Sequence, residues 1–278
     1  MRLQILGSAA AEAVPALWCD CECCTYARKH GGKDLRRRCA YWVDGDTLVD
    51  FGPDAFWQSV EFGIDLTAVK RILFTHSHED HLNLVDLEWR TPGFSHVSNT
   101  LKLFAPDGVY KRLSKWLSEL GMSIDRLSVD PVTLDDSGCA VADGDLEIVP
   151  VPAAHMPNEL CLNYILKRGG RSVLIANDTG WWTDASWELA AKHHLDAAVI
   201  ECTMAFFKND LDWDTGHMGV HASLRFRDKL VEIGALDKGA RAVVNHFSHN
   251  GMPFQAKLEE YFAGTGIEVG YDGMVLDI

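Results

Sequence analysis

The densest chemistry in this chain lies in His76-Ser77-His78-Glu79-Asp80-His81, which follows the strand-like run Arg71–Phe74 after a single threonine. Neutral imidazole and carboxylate are borderline ligands that suit zinc, manganese or iron. Side chains two apart in an extended segment point the same way, so His76 and His78 can grip one ion. Asp80 and His81 come after the chain turns and can reach a neighbouring position. Solitary histidines are mostly solvated or structural, but a HxHxDH string at a strand end has the ligand types and spacing for two adjacent divalent ions.

Two ions need more than four protein ligands. Three residues downstream share one setting, each just after a β-rich run: His155 after Ile148–Ala154, Asp178 after Val173–Asn177 and His246 after Ala242–Asn245. Any one alone is an ordinary polar residue at a strand end; three in order at the same edge as the histidine loop make a site. Two cations roughly 3.5–4 Å apart share a water, lower its pKa towards neutrality and stabilise charge on the attacked group. A shared hydroxide is then the expected nucleophile, with Asp80 available to orient it. No serine or cysteine nucleophile is required.

A second cluster sits near the N-terminus, where Cys19, Cys21, Cys23, Cys24 and Cys39 all precede residue 40. Adjacent cysteines at such tight spacing fit poorly with a disulfide framework and suit a reducing, intracellular setting, where clustered thiols suggest a metal. The CxCxxC formed by Cys19, Cys21 and Cys24 leaves a tetrahedral zinc one ligand short. His249, three residues after His246, can close it, with Cys23 or Cys39 as the competing fourth ligand and a patch of free or redox-active thiols as the plain alternative.

The elements that must hold these groups read as strands at Leu3–Leu6, Ala40–Val43, Thr47–Phe51, Arg71–Phe74, Leu101–Ala105, Leu146–Val151, Leu160–Leu166, Ser172–Ala176, Ala197–Glu201 and Ala242–Asn245. Helical spacing appears over Leu82–Arg90, Val109–Leu120, Ser186–His193, Val220–Ile233 and Pro253–Phe262, the last with proline in its first turn. Strands in two groups, each with helices attached, predict two sheets packed face to face with helices outside, an α/β sandwich. Gly138, Asp143-Gly144-Asp145 and Gly169-Gly170 are expected to mark hairpin turns, which leaves one domain over residues 1–278 carrying a zinc-binding loop at about residues 18–39.

HSHEDH followed by His155, Asp178 and His246 resembles the metallo-β-lactamase superfamily over nearly the whole chain. The resemblance implies an αββα sandwich of two mixed sheets with a dinuclear site at one edge. Carried over, His76, His78 and His155 would bind one metal, and Asp80, His81 and His246 the second, with Asp178 bridging. True β-lactamases place cysteine where Asp178 stands, so Asp178 points to hydrolases of phosphoesters, thioesters or lactones. The CxCxxC loop with a late HxxH is similar to the phosphodiesterase accessory protein family of the carbon–phosphorus lyase pathway. That implies hydrolysis of small, cyclic phosphodiesters with manganese or zinc in the dinuclear site and one structural zinc. Leu6–Ala10 and Trp18–Cys24 also resemble pyrroloquinoline quinone biosynthesis protein B, a cofactor-biosynthesis relative whose role would be non-catalytic. In the phosphodiesterase branch a histidine near Asp214-Thr215-Gly216-His217-Met218-Gly219 contacts phosphate and protonates the leaving alkoxide. His217 matches it, with His221 as the weaker alternative and a helix-capping role as the plain one.

Composition narrows the partners. The chain has 278 residues, 47% hydrophobic and 24% charged, with a formal net charge of −14. Long-range electrostatics would repel nucleic acid, so the expected partner is a small-molecule phosphate ester. The short basic stretch Lys33–Arg38 is a local anion site or a solvated loop. No apolar run approaches the roughly 20 residues needed to cross a bilayer. Leu3–Leu6, with Gln4 inside it, falls short of the roughly 7–15 apolar residues of a signal peptide, so a first strand and a cytoplasmic protein are expected. A homodimer is expected from the resemblance. Trp181, Trp182, Trp187, Phe206, Phe207 and Trp213 either line a pocket for a ribose or base, or belong to the core or a dimer surface.

Overall fold

The computed structural model describes residues 1–207 and 216–278; Trp213, Asp214 and Thr215, singled out above, lie outside the described residues. The first sheet is built from β1 (Arg2–Gly7), β2 (Ala40–Val43), β3 (Thr47–Val49), β4 (Arg71–Leu73), β5 (Leu101–Ala105), β6 (Val129–Thr133) and the C-terminal β14 (Val275–Asp277). Its spatial order is β14-β1-β2-β3-β4-β5-β6. The second sheet is built from β7 (Val141–Asp143), β8 (Leu146–Pro152), β9 (Leu162–Arg168), β10 (Arg171–Ala176), β11 (Leu195–Glu201), β12 (Leu236–Asn245) and β13 (Ile267–Val269), in the order β13-β12-β11-β10-β9-β8-β7. Both sheets are mixed. β3 to β6 are parallel neighbours, as are β10 to β13, while β1-β2-β3 and β7-β8-β9-β10 run antiparallel.

Strands buried on both faces read as continuous apolar runs rather than as strict alternation. Ile175, Val199 and Val243 point into the space between the sheets, where they meet Ile5, Tyr41, Val49 and Leu73. Leu174, Ala198 and Ile200 point the other way, onto Trp187, Phe226 and Leu230 beneath α5 (Asp184–Ala190) and α6 (Val220–Glu232). On the opposite side, Leu48, Ile72 and Leu103 pack on Val109, Leu113 and Leu117 of α4 (Asp107–Glu119). Those three residues repeat every fourth position, and their spacing gives α4 a single apolar stripe. The result is the αββα sandwich expected from sequence.

Element boundaries move by a few residues, and several elements lacked a sequence signal. α1 (Glu22–His30), α2 (Ala55–Phe62), β6, β7, β13 and β14 are short, and their partners rather than their own pattern fix them. The Leu82–Arg90 helix is shortened to α3 (Leu84–Glu88), capped by Asn83, whose side chain accepts from the Asp86 amide. The last helix, α7, spans Gln255–Phe262. Gly144 and the Gly169-Gly170 pair do turn hairpins, β7 to β8 and β9 to β10. Gly138 does not: it lies on the crossover from β6 to β7, which belong to different sheets.

The tryptophan-rich stretch is core. Trp181 and Trp182 each pack on Trp187, and all three on Phe226, in tilted or edge-on contacts with ring centroids 4.6–6.0 Å apart, and Phe206 packs on Tyr261. Phe207 alone of the described aromatics in that group is largely exposed and borders the cavity described below.

Candidate metal centre

The chain direction sets the site. β4, β8, β10 and β12 all end at one edge of the sandwich, where open α/β sheets place ligands outside the carboxyl ends of their strands. His76 to His81 follow β4, His155 follows β8, Asp178 follows β10 and His246 follows β12. Four groups of side chains converge there or beside it among the described residues, the ligand atoms within each group lying within 4.8 Å of one another. They are His76, His78 and His155; Asp80, His81, Asp178 and His246; an overlapping set of His155, Asp178 and His217; and, apart from these, Cys19, Cys21, Cys24 and His249.

Asp178 stands between the first two sets. Its Oδ2 lies 2.5 Å from His81 Nε2 and 3.7 Å from His76 Nε2, and its Oδ1 lies 3.4 Å from His246 Nε2. His81 Nε2 is also 3.0 Å from Asp80, and His155 Nε2 is 3.4 Å from His78 Nδ1. Coulomb attraction from His246 and His81 outweighs the burial that opposes ionisation, so the Asp178 carboxyl is held well below the usual range.

Whether these residues suit divalent ions is decided by where the imidazole protons are. His81 Nδ1 faces the Asp50 carboxylate at 2.7 Å, which fixes its proton on that nitrogen. His155 Nδ1 faces the Gly216 carbonyl at 3.3 Å. His76 and His246 rest their Nδ1 on Thr75 and Thr203 hydroxyls at 3.0 and 2.8 Å. Among the described residues, the Nε2 atoms of His76 and His246 are buried with no well-directed hydrogen bond, and that of His81 faces only the Asp178 and Asp80 carboxylates. Buried polar atoms are rarely left so, and imidazoles anchored through one nitrogen with the other aimed into a shared space are the usual arrangement around a bound metal. The donor set fits divalent ions.

The loop carrying the motif is tied down at both ends. Glu159 accepts from the Ser77 amide at 2.9 Å and from its hydroxyl at 2.7 Å, while Arg112 donates to the Ser77 carbonyl and pairs with Glu79. Gly52 makes the close approach possible, because a Cβ there would lie 2.0 Å from the Asp80 carbonyl oxygen. Asp178 and His246 themselves adopt left-handed backbone, with φ of 42° and 64°.

His217 borders the same cavity, with its Nδ1 3.1 Å from Glu201 Oε1 and 3.6 Å from Asp178 Oδ1. Burial opposes its charge, but the buried Glu201, with Asp178 and Asp80 behind it, overrides burial and lifts the imidazole to about 9. Glu201 is held by the amides of Thr203 and Met218. Gly216, at φ 74°, brings this segment against His155, since a Cβ would meet the His155 carbonyl at 2.7 Å. His221 lies in the first turn of α6, outside these groups. The cavity holds about 510 Å³ and is rimmed by Glu12, Phe207, Ser248 and Asn250.

In the cysteine cluster, His249 Nδ1 lies 3.6 Å from both Cys19 and Cys21 sulfurs. The Cys24 sulfur accepts from the Ala16 amide. Hydrogen bonds from Cys24, His249 and Cys19 outweigh burial and bring the Cys21 thiol down to about 7. Of the competing fourth members, Cys23 packs with Ala9, Val14, Ala27 and Phe254, and Cys39 lies between the sheets. His249 is the residue placed beside the other three. Sequence reasoning passed over Asp50, Glu159, Glu201 and Thr203, because a lone polar residue at a strand end or in a loop carries no spacing to mark it.

Among the described residues no helix is long and apolar enough to cross a membrane. Residues 41–247 match the family model of the beta-lactamase superfamily domain. A diphosphatase from the PhnP family superposes with a TM-score of 0.75 at 22% identity, covering 100% of this chain and 97% of that one. Zinc-bound PqqB from Methylobacterium extorquens gives 0.75 at 19% identity, with full coverage of both chains, and human tRNase Z, short form, gives 0.67 at 17%, covering 100% and 99%. In sequence, 90 residues, 31% of this chain, are 33% identical to an octanoyltransferase of Porphyromonas gingivalis, and the match spans only 17% of that protein's length.

Proposed function

This chain belongs to the metallo-β-lactamase superfamily of metal-dependent hydrolases, and on that footing we propose that it is a phosphodiesterase acting on a small, cyclic phosphate ester. The observation that carries the reading is His217, buried against Glu201 and facing the cavity beside Asp178. A protonated imidazole at that point suits an anionic phosphoryl group and its departing alkoxide better than a neutral carbonyl.

His76, His78 and His155 would hold one divalent ion and Asp80, His81 and His246 the other, with Asp178 shared; zinc or manganese suits this donor set. Such a pair supplies Lewis acidity and a water acidified to near neutrality. The protein's own residues do the rest. Asp50 and the Gly216 carbonyl fix two imidazole tautomers, Glu159 and Arg112 hold the histidine loop, and Glu201 keeps a proton on His217 for the leaving oxygen. Cys19, Cys21, Cys24 and His249 would hold a structural zinc that ties the N-terminal loop to the strand end bearing His246. The diphosphatase of similar fold supports phosphorus chemistry.

A carbonyl substrate is the second reading, since the same ligand set can polarise a carbonyl oxygen. Hydrolysis of bis(p-nitrophenyl) phosphate by manganese-reconstituted protein, with Asp80→Ala alongside, separates the two. Turnover lost in the variant supports the diesterase. No turnover with metals confirmed bound would refute it in favour of lactones and thioesters.

A further inference from the structure

Directly beneath the metal-binding edge, a polar group that the chemistry above does not use spans the two sheets. Tyr41 on β2 and Cys39 just before it belong to the first sheet, and Asn177 and Asn245 end β10 and β12 of the second. All four are almost wholly buried. The Tyr41 hydroxyl donates to Asn177 Oδ1 at 2.7 Å and accepts from Asn245 Nδ2 at 2.9 Å. The Cys39 sulfur accepts from Asn177 Nδ2 at 3.1 Å and Asn245 Nδ2 at 3.3 Å, and its thiol lies 3.2 Å from the Tyr41 oxygen. Burial pushes both the thiol and the phenol up, so each stays neutral and protonated. The Asn177 carbonyl accepts in turn from Asn163, whose side-chain oxygen accepts from Trp182.

Two features make this more than buried polarity. Asn177 and Asn245 immediately precede Asp178 and His246, the two candidate metal ligands in left-handed backbone. For non-glycine residues that conformation is strained and persists only where the surroundings over-determine it. Both asparagines are fastened by the same two atoms, Tyr41 Oη and Cys39 Sγ, although their strands are separated by β11. An apolar filling of the same volume would spare the desolvation of these groups but would leave the turns after β10 and β12 independent of one another.

We propose that Tyr41 and Cys39, through Asn177 and Asn245, are positioning residues that fix the placement of Asp178 relative to His246 and so set metal affinity at the Asp80, His81, Asp178 and His246 set. The inference rests on reading that set as a metal site. Polar partners behind metal ligands are typically worth about 10–100-fold in affinity. The set formed by His76, His78 and His155 receives only the shared Asp178 from this brace and loses less affinity.

The test is stepwise cobalt titration of protein whose cysteine cluster is already zinc-loaded, followed by visible absorption, with thermal unfolding of the metal-free protein in parallel. Binding of two cobalt ions by the unaltered protein tests the metal reading on its own. Tyr41→Phe keeps the ring and removes only the bridging hydroxyl; it is expected to weaken one of the two cobalt steps at least tenfold and to change that ion's spectrum. Tyr110→Phe loses hydrogen bonds to the Leu103 and Val132 carbonyls, which belong to neither set, and is expected to lower stability with both affinities unchanged. Cys39→Ser, which retains an acceptor, is expected to bind like the unaltered protein, and Cys39→Ala like Tyr41→Phe; this pair decides the matter if Tyr41→Phe does not fold. Loss of thermal stability with both cobalt affinities and spectra intact, or equal weakening at both steps, would overturn the proposal.

Discussion

Replacing His217 with alanine separates its proposed role from a packing role through the leaving group. The imidazole lies 3.1 Å from Glu201 and 3.6 Å from Asp178, with about a fifth of its side chain exposed to the cavity. If it delivers a proton to the departing oxygen, its loss removes general acid catalysis, worth roughly 10²–10⁴ in rate, or about 3–5 kcal/mol of barrier. That loss should fall on substrates whose leaving group is a strongly basic alkoxide, such as a cyclic ribose phosphate. A nitrophenolate departs without a proton, so kcat/KM for bis(p-nitrophenyl) phosphate should fall tenfold or less. Glu201→Gln removes the charge that favours the imidazolium and should give the same pattern at smaller amplitude. Steady-state kinetics with both substrates, on protein of verified metal content, measure the two ratios. An equal loss on both leaving groups would refute the argument, because it would mean that His217 shapes the site without moving a proton.

Other consequences can be checked separately. Glu159→Ala strips two hydrogen bonds from Ser77 and leaves its amide unpaired, so stability should fall by about 1–3 kcal/mol, and amide exchange should quicken over residues 76–82 if the loop depends on that anchor. Gly52→Ala drives a Cβ to 2.0 Å from the Asp80 carbonyl oxygen; overpacking of this kind costs about 1–3 kcal/mol, and chemical denaturation should show at least that. Cys21→Ser should cost one zinc per chain by elemental analysis and lower the melting temperature, since metal-binding free energy at a structural site is folding free energy. An unchanged zinc count would remove Cys21 from the cluster. Phe226→Ala, fully buried against three tryptophans, should cost about 3–5 kcal/mol on urea unfolding.

What the sequence made legible was contiguous or periodic. HSHEDH is one string, and His155, Asp178 and His246 each close an apolar run, so strand direction alone delivers them to one edge. The cysteine cluster was visible from spacing, although choosing His249 over Cys39 required knowing that Cys39 sits between the sheets. Asp50 and Glu201 were not legible, because single carboxylates at strand ends look like any surface acid until the histidines they orient are in place. Tyr41, Asn177 and Asn245 were hidden for the same reason, their meaning arising only where two sheets meet. Trp181, Trp182 and Trp187, offered as pocket lining or core, proved to be core, since apolar aromatics satisfy both descriptions until packing decides. The Gly138 turn misled because a glycine turn marks a reversal without saying whether the next strand rejoins the same sheet.

Anomalous diffraction from crystals of manganese-reconstituted protein, collected at the manganese and zinc edges, would locate the ions themselves. Two manganese peaks are expected flanking Asp178, roughly 3.5–4 Å apart as in other two-metal sites, with one zinc peak among Cys19, Cys21, Cys24 and His249. A filled cysteine cluster beside a cavity with no peak at Asp178 would contradict the two-metal reading and point instead to a protein that binds without hydrolysing.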